Sequence, residues 1–180
     1  NELSGPLVQS FLAKRIGQSI KNPFYTYRFV YVPETIGSIT FLSSKGNYLI
    51  DNLKAGFVLS CLGDSGSYTY KKPRKKNSLT EKVLEYYLKR IQTPYISIPF
   101  CPQPGSDERQ YCSPGFNLPM ATFMRTMFTR YPQYHTSLDN KQLISFNNLE
   151  KTISDLTGIV GVLEKNRTYL NKLPFGEPQL

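Results

Sequence analysis

Gly56–Leu62, reading GFVLSCL, is the stretch that most narrows what this chain can fold into. It is apolar almost throughout, with no alternation of inward and outward residues. Such a run suits a strand covered on both faces, which arises where helices pack on either side of a sheet. Gly63-Asp64-Ser65-Gly66 follows and suits a tight turn.

The rest of the chain offers the helices. Leu7–Ile20 places Leu7, Val8, Phe11, Leu12 and Ile16 at helical spacing, with Ser4 as N-cap. Asn22-Pro23 closes that helix, because proline disfavours helical geometry in the residue before it. Tyr25–Val32 is aromatic and β-branched and reads as a strand. Pro33-Glu34-Thr35 opens a helical segment to Leu42 that continues near Tyr48–Leu53. Ser78-Leu79-Thr80-Glu81 has the capping-box pattern and predicts a helix through Ile91. Tyr95–Ile98 and Leu118–Met124 read as further strands, and Asn147–Lys165 as a final amphipathic helix. Strands alternating with helices predict an α/β sandwich with a largely parallel sheet.

A length of 180 residues, 39% hydrophobic, suits one soluble domain with a real core. The longest apolar runs fall far short of the ~20 residues of a membrane span. Asn1-Glu2-Leu3-Ser4-Gly5 lacks the basic start and apolar centre of a signal peptide. Without an initial Met, and ending at Pro178-Gln179-Leu180, the chain reads as a piece of a longer polypeptide. Cys61, Cys101 and Cys112 have no CxxC spacing, so free thiols and a cytoplasmic setting are expected. Much of the +9 net charge comes from Lys71-Lys72-Pro73-Arg74-Lys75-Lys76. That run reads as a solvated loop or hairpin tip. No nucleic-acid module is present, so neither nucleic acid nor membrane is an expected partner.

The chemistry-bearing residues concentrate in Pro104–Asn140, which carries Asp107, Glu108 and the chain's single histidine, His135. Sheets of this class bind ligands beyond the carboxyl ends of their strands. Glu34, Asp64 and His135 each follow a predicted strand and are expected to converge there. Two carboxylates and an imidazole can ligate zinc, and the same residue types also serve as caps and turn residues. Arg109 and Arg125 suit either a substrate carboxylate or pairing with Asp107, Glu108 or Asp139. Tyr111 and Tyr134 suit either a pocket wall or packing, and Glu108 either the site or a solvated loop.

Four patches together resemble the zinc aminopeptidase superfamily of bacterial leucyl-type aminopeptidases and glutaminyl cyclases. They are Asn1-Glu2-Leu3-Ser4-Gly5; Val32-Pro33-Glu34-Thr35-Ile36-Gly37-Ser38; Leu62-Gly63-Asp64; and Gly105-Ser106-Asp107 through Asn117-Leu118-Pro119 to Tyr134-His135-Thr136 and Asp139. Within it the chain is most similar to an uncharacterised aminopeptidase-like family, many of whose members also carry a C-terminal winged-helix domain. The resemblance implies a three-layer α/β/α sandwich with a mixed, mostly parallel sheet. It implies a single domain over residues 1–180, incomplete at its N-terminus.

It further implies zinc, with His135 on one ion and Asp64 on the other. Glu34 would be the catalytic carboxylate, and Asp107 would orient substrate, with Glu108, Arg125 and Tyr134 as further substrate-binding or supporting residues. The substrate would be a peptide or amino-acyl small molecule, hydrolysed at its N-terminal amino-acyl bond. The chain also departs from the family pattern. Asn1 stands where the family has a metal-bridging aspartate, leaving the adjacent Glu2 as a substitute ligand. Glu34 stands alone where the family has two glutamates, and a further histidine ligand would lie upstream of Asn1. The departures favour an alternative, a catalytically impaired member of the fold that binds a ligand or partner.

Overall fold

The structure, a computed structural model, describes residues 1–176. The elements run α1 (Ser4–Ser19), α2 (Ile36–Asn52), β1 (Gly56–Leu59), β2 (Tyr68–Lys71), α3 (Leu79–Arg90), β3 (Tyr95–Ile98), α4 (Glu108–Tyr111), β4 (Met120–Met124) and α5 (Phe146–Lys165). The four strands form one sheet in the order β1-β4-β2-β3. β1 pairs parallel with β4, β4 antiparallel with β2, and β2 parallel with β3. The sheet is therefore mixed, as an α/β sandwich of this class allows.

Helices cover both faces. On one, Val8, Leu12 and Ile16 of α1 join Leu84 and Leu88 of α3 and Leu156, Ile159 and Leu163 of α5, over Tyr68, Tyr70 and Phe123 of the sheet. On the other, Leu42 and Leu49 of α2 pack with Tyr111, Cys112, Leu118 and Met120. The helix starts follow from local chemistry. Ser78 accepts the Glu81 N–H at 3.3 Å, satisfying one orphan donor of α3. The Glu81 carboxylate turns instead to Lys72, at 2.5 Å, so only half of the capping box forms.

Three expectations fail, each for a physical reason. Tyr25–Val32 is irregular and no strand, since no backbone–backbone hydrogen bond reaches it among the described residues. Side chains hold it instead: Gln9 Nε2 donates to the Val30 carbonyl at 3.1 Å, and Glu164 accepts from Phe24 N at 2.7 Å and Tyr27 Oη at 2.6 Å. Its inward members Tyr25, Tyr27 and Phe29 pack on the core. β1 lies at the edge of the sheet and is half-buried throughout rather than fully buried, although Phe57 and Leu59 meet one core and Val58 the other. The fully buried strands are β2 and β4. β2 ends in Lys71, so the basic run is solvated only over Arg74–Lys76, and its first lysine is inside the protein.

No helix of the described residues is long and apolar enough to cross a membrane. Cys61, Cys101 and Cys112 are free thiols, with Cys61 and Cys112 buried.

Candidate functional site

A cleft of about 260 Å³ opens at the carboxyl end of β1. Val58, Leu59 and Ser60 form its floor, Glu2, Glu34, Ser106 and Asp107 supply polar groups, and Phe128, Tyr134 and His135 form one wall. The walls come from chain entries into helices: Glu2 precedes α1, Glu34 precedes α2, and Ser106-Asp107 precede α4. This is where a sheet of this class places ligands. A wider groove of about 380 Å³ lies between α1 and Pro23–Phe29, but its lining, including Ile16, Ile20 and Phe24, carries no acidic group.

Glu34 accepts from Ser106 Oγ at 2.7 Å. The next residue, Thr35, sits at φ 64° and ψ −69°, which L side chains rarely adopt. Two contacts hold it there: its N–H donates to Asp107 Oδ1 at 2.7 Å, and its hydroxyl accepts from Arg109 Nη2 at 3.2 Å. Burial pushes the Asp107 carboxyl above the usual aspartate range, partly opposed by the Thr35 N–H, and the nearby Glu34 and Glu108 push the same way. His135 also has a positive φ, 58°. Its Nε2 lies 2.9 Å from Glu2 Oε1, and its ring stacks on Tyr134 at 3.9 Å between centroids.

Asp64 is not part of the cleft. It is buried, and its oxygens accept from Asn1 Nδ2 at 2.8 Å, Gly66 N at 2.7 Å, Thr126 Oγ1 at 2.6 Å and Thr126 N at 3.3 Å. Asn1 returns the contact to the same turn, accepting from Gly63 N at 2.8 Å. The expected convergence of Glu34, Asp64 and His135 is thus split: the first and last share the cleft, while Asp64 closes a turn behind it. A neutral amide occupies the space an additional carboxylate would share with Asp64.

The described residues do not by themselves assemble a metal-binding donor set. Among the described residues no cluster of three or more His, Cys, Asp or Glu could hold one. Asp64 has spent its acceptor capacity on protein donors, and Glu2 faces His135. Burial takes two further candidates, Arg125 and Glu108, out of direct contact with the cleft and leaves them only the supporting part of their expected role. Arg125 lies outside the cleft, donating to the Gly66 carbonyl at 3.0 Å, Thr152 Oγ1 at 3.2 Å and the Asn148 carbonyl at 3.3 Å, over the Tyr68 ring. It pins the Asp64 turn to α5 and, among the described residues, pairs with no carboxylate. Glu108 is fully buried and accepts from Lys71 Nζ and Thr122 Oγ1, each at 2.8 Å, and from Ser106 N at 3.0 Å. Arg109 reaches Thr35, and Tyr111 belongs to the second core. Sequence reasoning missed Lys71 as a buried partner and Phe128 as a wall. The alternation in Tyr68-Thr69-Tyr70-Lys71 signals a strand but would turn Lys71 to solvent, so no local signal marked its burial.

The family model described as "Domain of unknown function (DUF4910)" matches residues 1–166. The chain belongs to this family. The DUF4910 chain is 39% identical over 180 residues to a Clostridium acetobutylicum protein named "Putative polysaccharide biosynthesis protein with aminopeptidase-like domain", spanning 100% of itself and 40% of that protein. A crystal structure from the same organism, described as that of a "putative peptidase", matches with a TM-score of 0.90 at 38% identity, over 100% of this chain and 42% of that one. BSAP, a zinc aminopeptidase from Bacillus subtilis, matches with a TM-score of 0.75 at 18% identity, over 93% of this chain and 42% of that one. At that identity the likeness shows the fold alone. The DUF4910 chain has the α/β aminopeptidase-like fold, and it spans about two fifths of the length of the relatives it matches.

Proposed function

We propose that this chain binds the free amino end of a peptide or amino-acyl small molecule, using the carboxylates of Glu2, Glu34 and Asp107 rather than a metal ion. One observation carries the reading: Asp64 is saturated by four protein donors, while Glu2, Glu34 and Asp107 line an open cleft. An ammonium group brings three donors and a positive charge, and charge-assisted hydrogen bonds to carboxylates are the strong ones. Phe128 and Tyr134 would flank the side chain of the bound residue. The test is calorimetric titration with leucinamide and with N-acetyl-leucinamide, in EDTA. Leucinamide should bind and the acetylated form should not. Equal binding of the two, or none of either, overturns the reading.

A second reading is favoured by the place of Glu34 and by the zinc aminopeptidases among the structural neighbours. It is a zinc-dependent hydrolase of N-terminal amino-acyl bonds, with the missing ligands supplied from outside the described residues. Stoichiometric zinc together with hydrolysis of leucine p-nitroanilide, lost in Glu34→Gln, selects it. Three free cysteines support a reducing, cytoplasmic setting for either reading.

A further inference from the structure

Beneath the cleft lies a buried ion pair that neither reading uses. Lys71 is 1% exposed and Glu108 0%. Lys71 Nζ donates to Glu108 Oε1 at 2.8 Å and to the Pro104 carbonyl at 2.5 Å. Glu108 Oε2 accepts from Thr122 Oγ1 at 2.8 Å and from Ser106 N at 3.0 Å. Lys71 stands on β2 and Thr122 on the neighbouring β4, paired across the sheet. Two rigid strands therefore grip one short segment, Pro104–Glu108.

That segment holds the cleft together. Ser106 donates to Glu34, and Asp107 accepts the N–H of Thr35 in its unusual conformation. A non-glycine residue keeps such a conformation only where its surroundings over-determine it. The segment also lies close to the pair, since a Cβ at Gly105 would stand 3.1 Å from Glu108 Oε1. A buried pair of this kind is a poor source of stability, since apolar residues of similar volume serve as well. What it supplies here is a fixed position for two backbone groups, the Pro104 carbonyl and the Ser106 N–H.

We propose that Lys71 and Glu108 are positioning residues of the cleft. They clamp the Pro104–Asp107 rim to β2 and β4, and so fix where Ser106 holds Glu34 and where Asp107 holds Thr35. The ligand-binding consequence rests on the amine-binding reading, whereas the geometric one does not. The test is the double variant Lys71→Met/Glu108→Leu, which removes both charges together and fills their space. Amide hydrogen exchange is read at Thr35 and across α5, and leucinamide affinity by calorimetry.

The Thr35 amide should exchange about tenfold faster or more while α5 amides keep their wild-type rates, the signature of local rather than global opening. Leucinamide affinity should fall by about tenfold, the equivalent of one or two charge-assisted contacts misplaced. Unchanged Thr35 exchange in the folded double variant overturns the proposal. Exchange accelerated equally at Thr35 and α5 also overturns it, because the pair would then be a general stability element. If the wild-type chain fails to bind leucinamide, the amine-binding reading falls, and the Thr35 exchange still decides the clamp. If the double variant does not fold, Thr122→Val removes the β4 hydroxyl from Glu108 and keeps the side-chain volume. Wild-type Thr35 exchange in that variant counts against the clamp, and faster exchange supports it.

Discussion

Asp64 and Asp107 both stand in turns at the same edge of the sheet, and they come to opposite ends. Asp64 is buried and receives hydrogen bonds from Asn1, Gly66 and both donors of Thr126. Asp107 is half-buried, beside the cleft, and takes the Thr35 N–H. A carboxylate has about four acceptor sites, so the first is full and the second has room. Position beyond a strand end does not make an acidic residue available to a ligand. The number of protein donors already aimed at it does.

The sharpest way to break this contrast is to remove the saturated carboxylate. Asp64→Ala leaves the Asn1 amide and the Thr126 hydroxyl buried without their acceptor, and should cost about 3 kcal/mol of folding stability. Thermal unfolding measures the loss, and leucinamide affinity of the folded fraction should stay within about twofold. A variant that keeps its melting temperature but loses binding would return Asp64 to the site. Glu34→Gln should do the reverse. It removes a charge from the cleft and keeps the shape, so affinity for leucinamide should fall about tenfold. Stability should stay within about 0.5 kcal/mol.

The pH dependence sharpens the contrast from the Asp107 side. Burial raises its carboxyl above the usual aspartate value near ~3.9. A raised value in the folded protein means that protonation favours folding. This contribution is therefore fully present below the unfolded value and is lost as pH rises through the folded one. Binding of a cationic amine runs the other way, because it needs the ionised carboxylate. Leucinamide affinity should weaken as pH falls through the raised value, while the chain itself gains stability there. Asp107→Asn should flatten both trends in that window. Persistence of both trends in Asp107→Asn would assign them to another group.

The sequence made the α/β class legible because helical periodicity and caps are local. α1, α3 and α5 formed close to where their apolar spacing and N-terminal residues put them. The strands were less legible, and the reason is pairing. Tyr25–Val32 has stronger strand composition than Tyr68–Lys71, yet only the second meets neighbours on both sides, β3 and β4. A strand is a property of two segments, and one of them cannot be read alone. The site divides the same way. Glu34 and His135 were legible as loop residues beyond the sheet, and they do share a cleft. The withdrawal of Asp64 was not legible, since it depends on Asn1 arriving from far away in sequence. Lys71 was hidden by its own neighbours, a basic run whose later members are solvated while the first pairs with Glu108.

The smallest expected effect falls on the residue that drew most attention in the sequence. His135 is 63% exposed at its side chain and meets Glu2, itself 49% exposed, at 2.9 Å. An exposed pair of this kind is worth about 0.5 kcal/mol or less once side-chain entropy and salt screening are counted. His135→Ala should therefore leave the melting temperature within about two degrees. Its positive φ makes alanine slightly less comfortable there, and His135→Gly separates that backbone effect from loss of the ring. Leucinamide affinity should drop by about threefold at most, through the lost cleft wall and a freed Glu2. Zinc uptake on elemental analysis should be the same in wild type and variant. Stoichiometric zinc in the wild type that disappears in His135→Ala would make the imidazole a ligand after all. The cleft would then have to rearrange enough to draw Asp64 from its four donors, and the contrast between the two carboxylates would describe only the metal-free state.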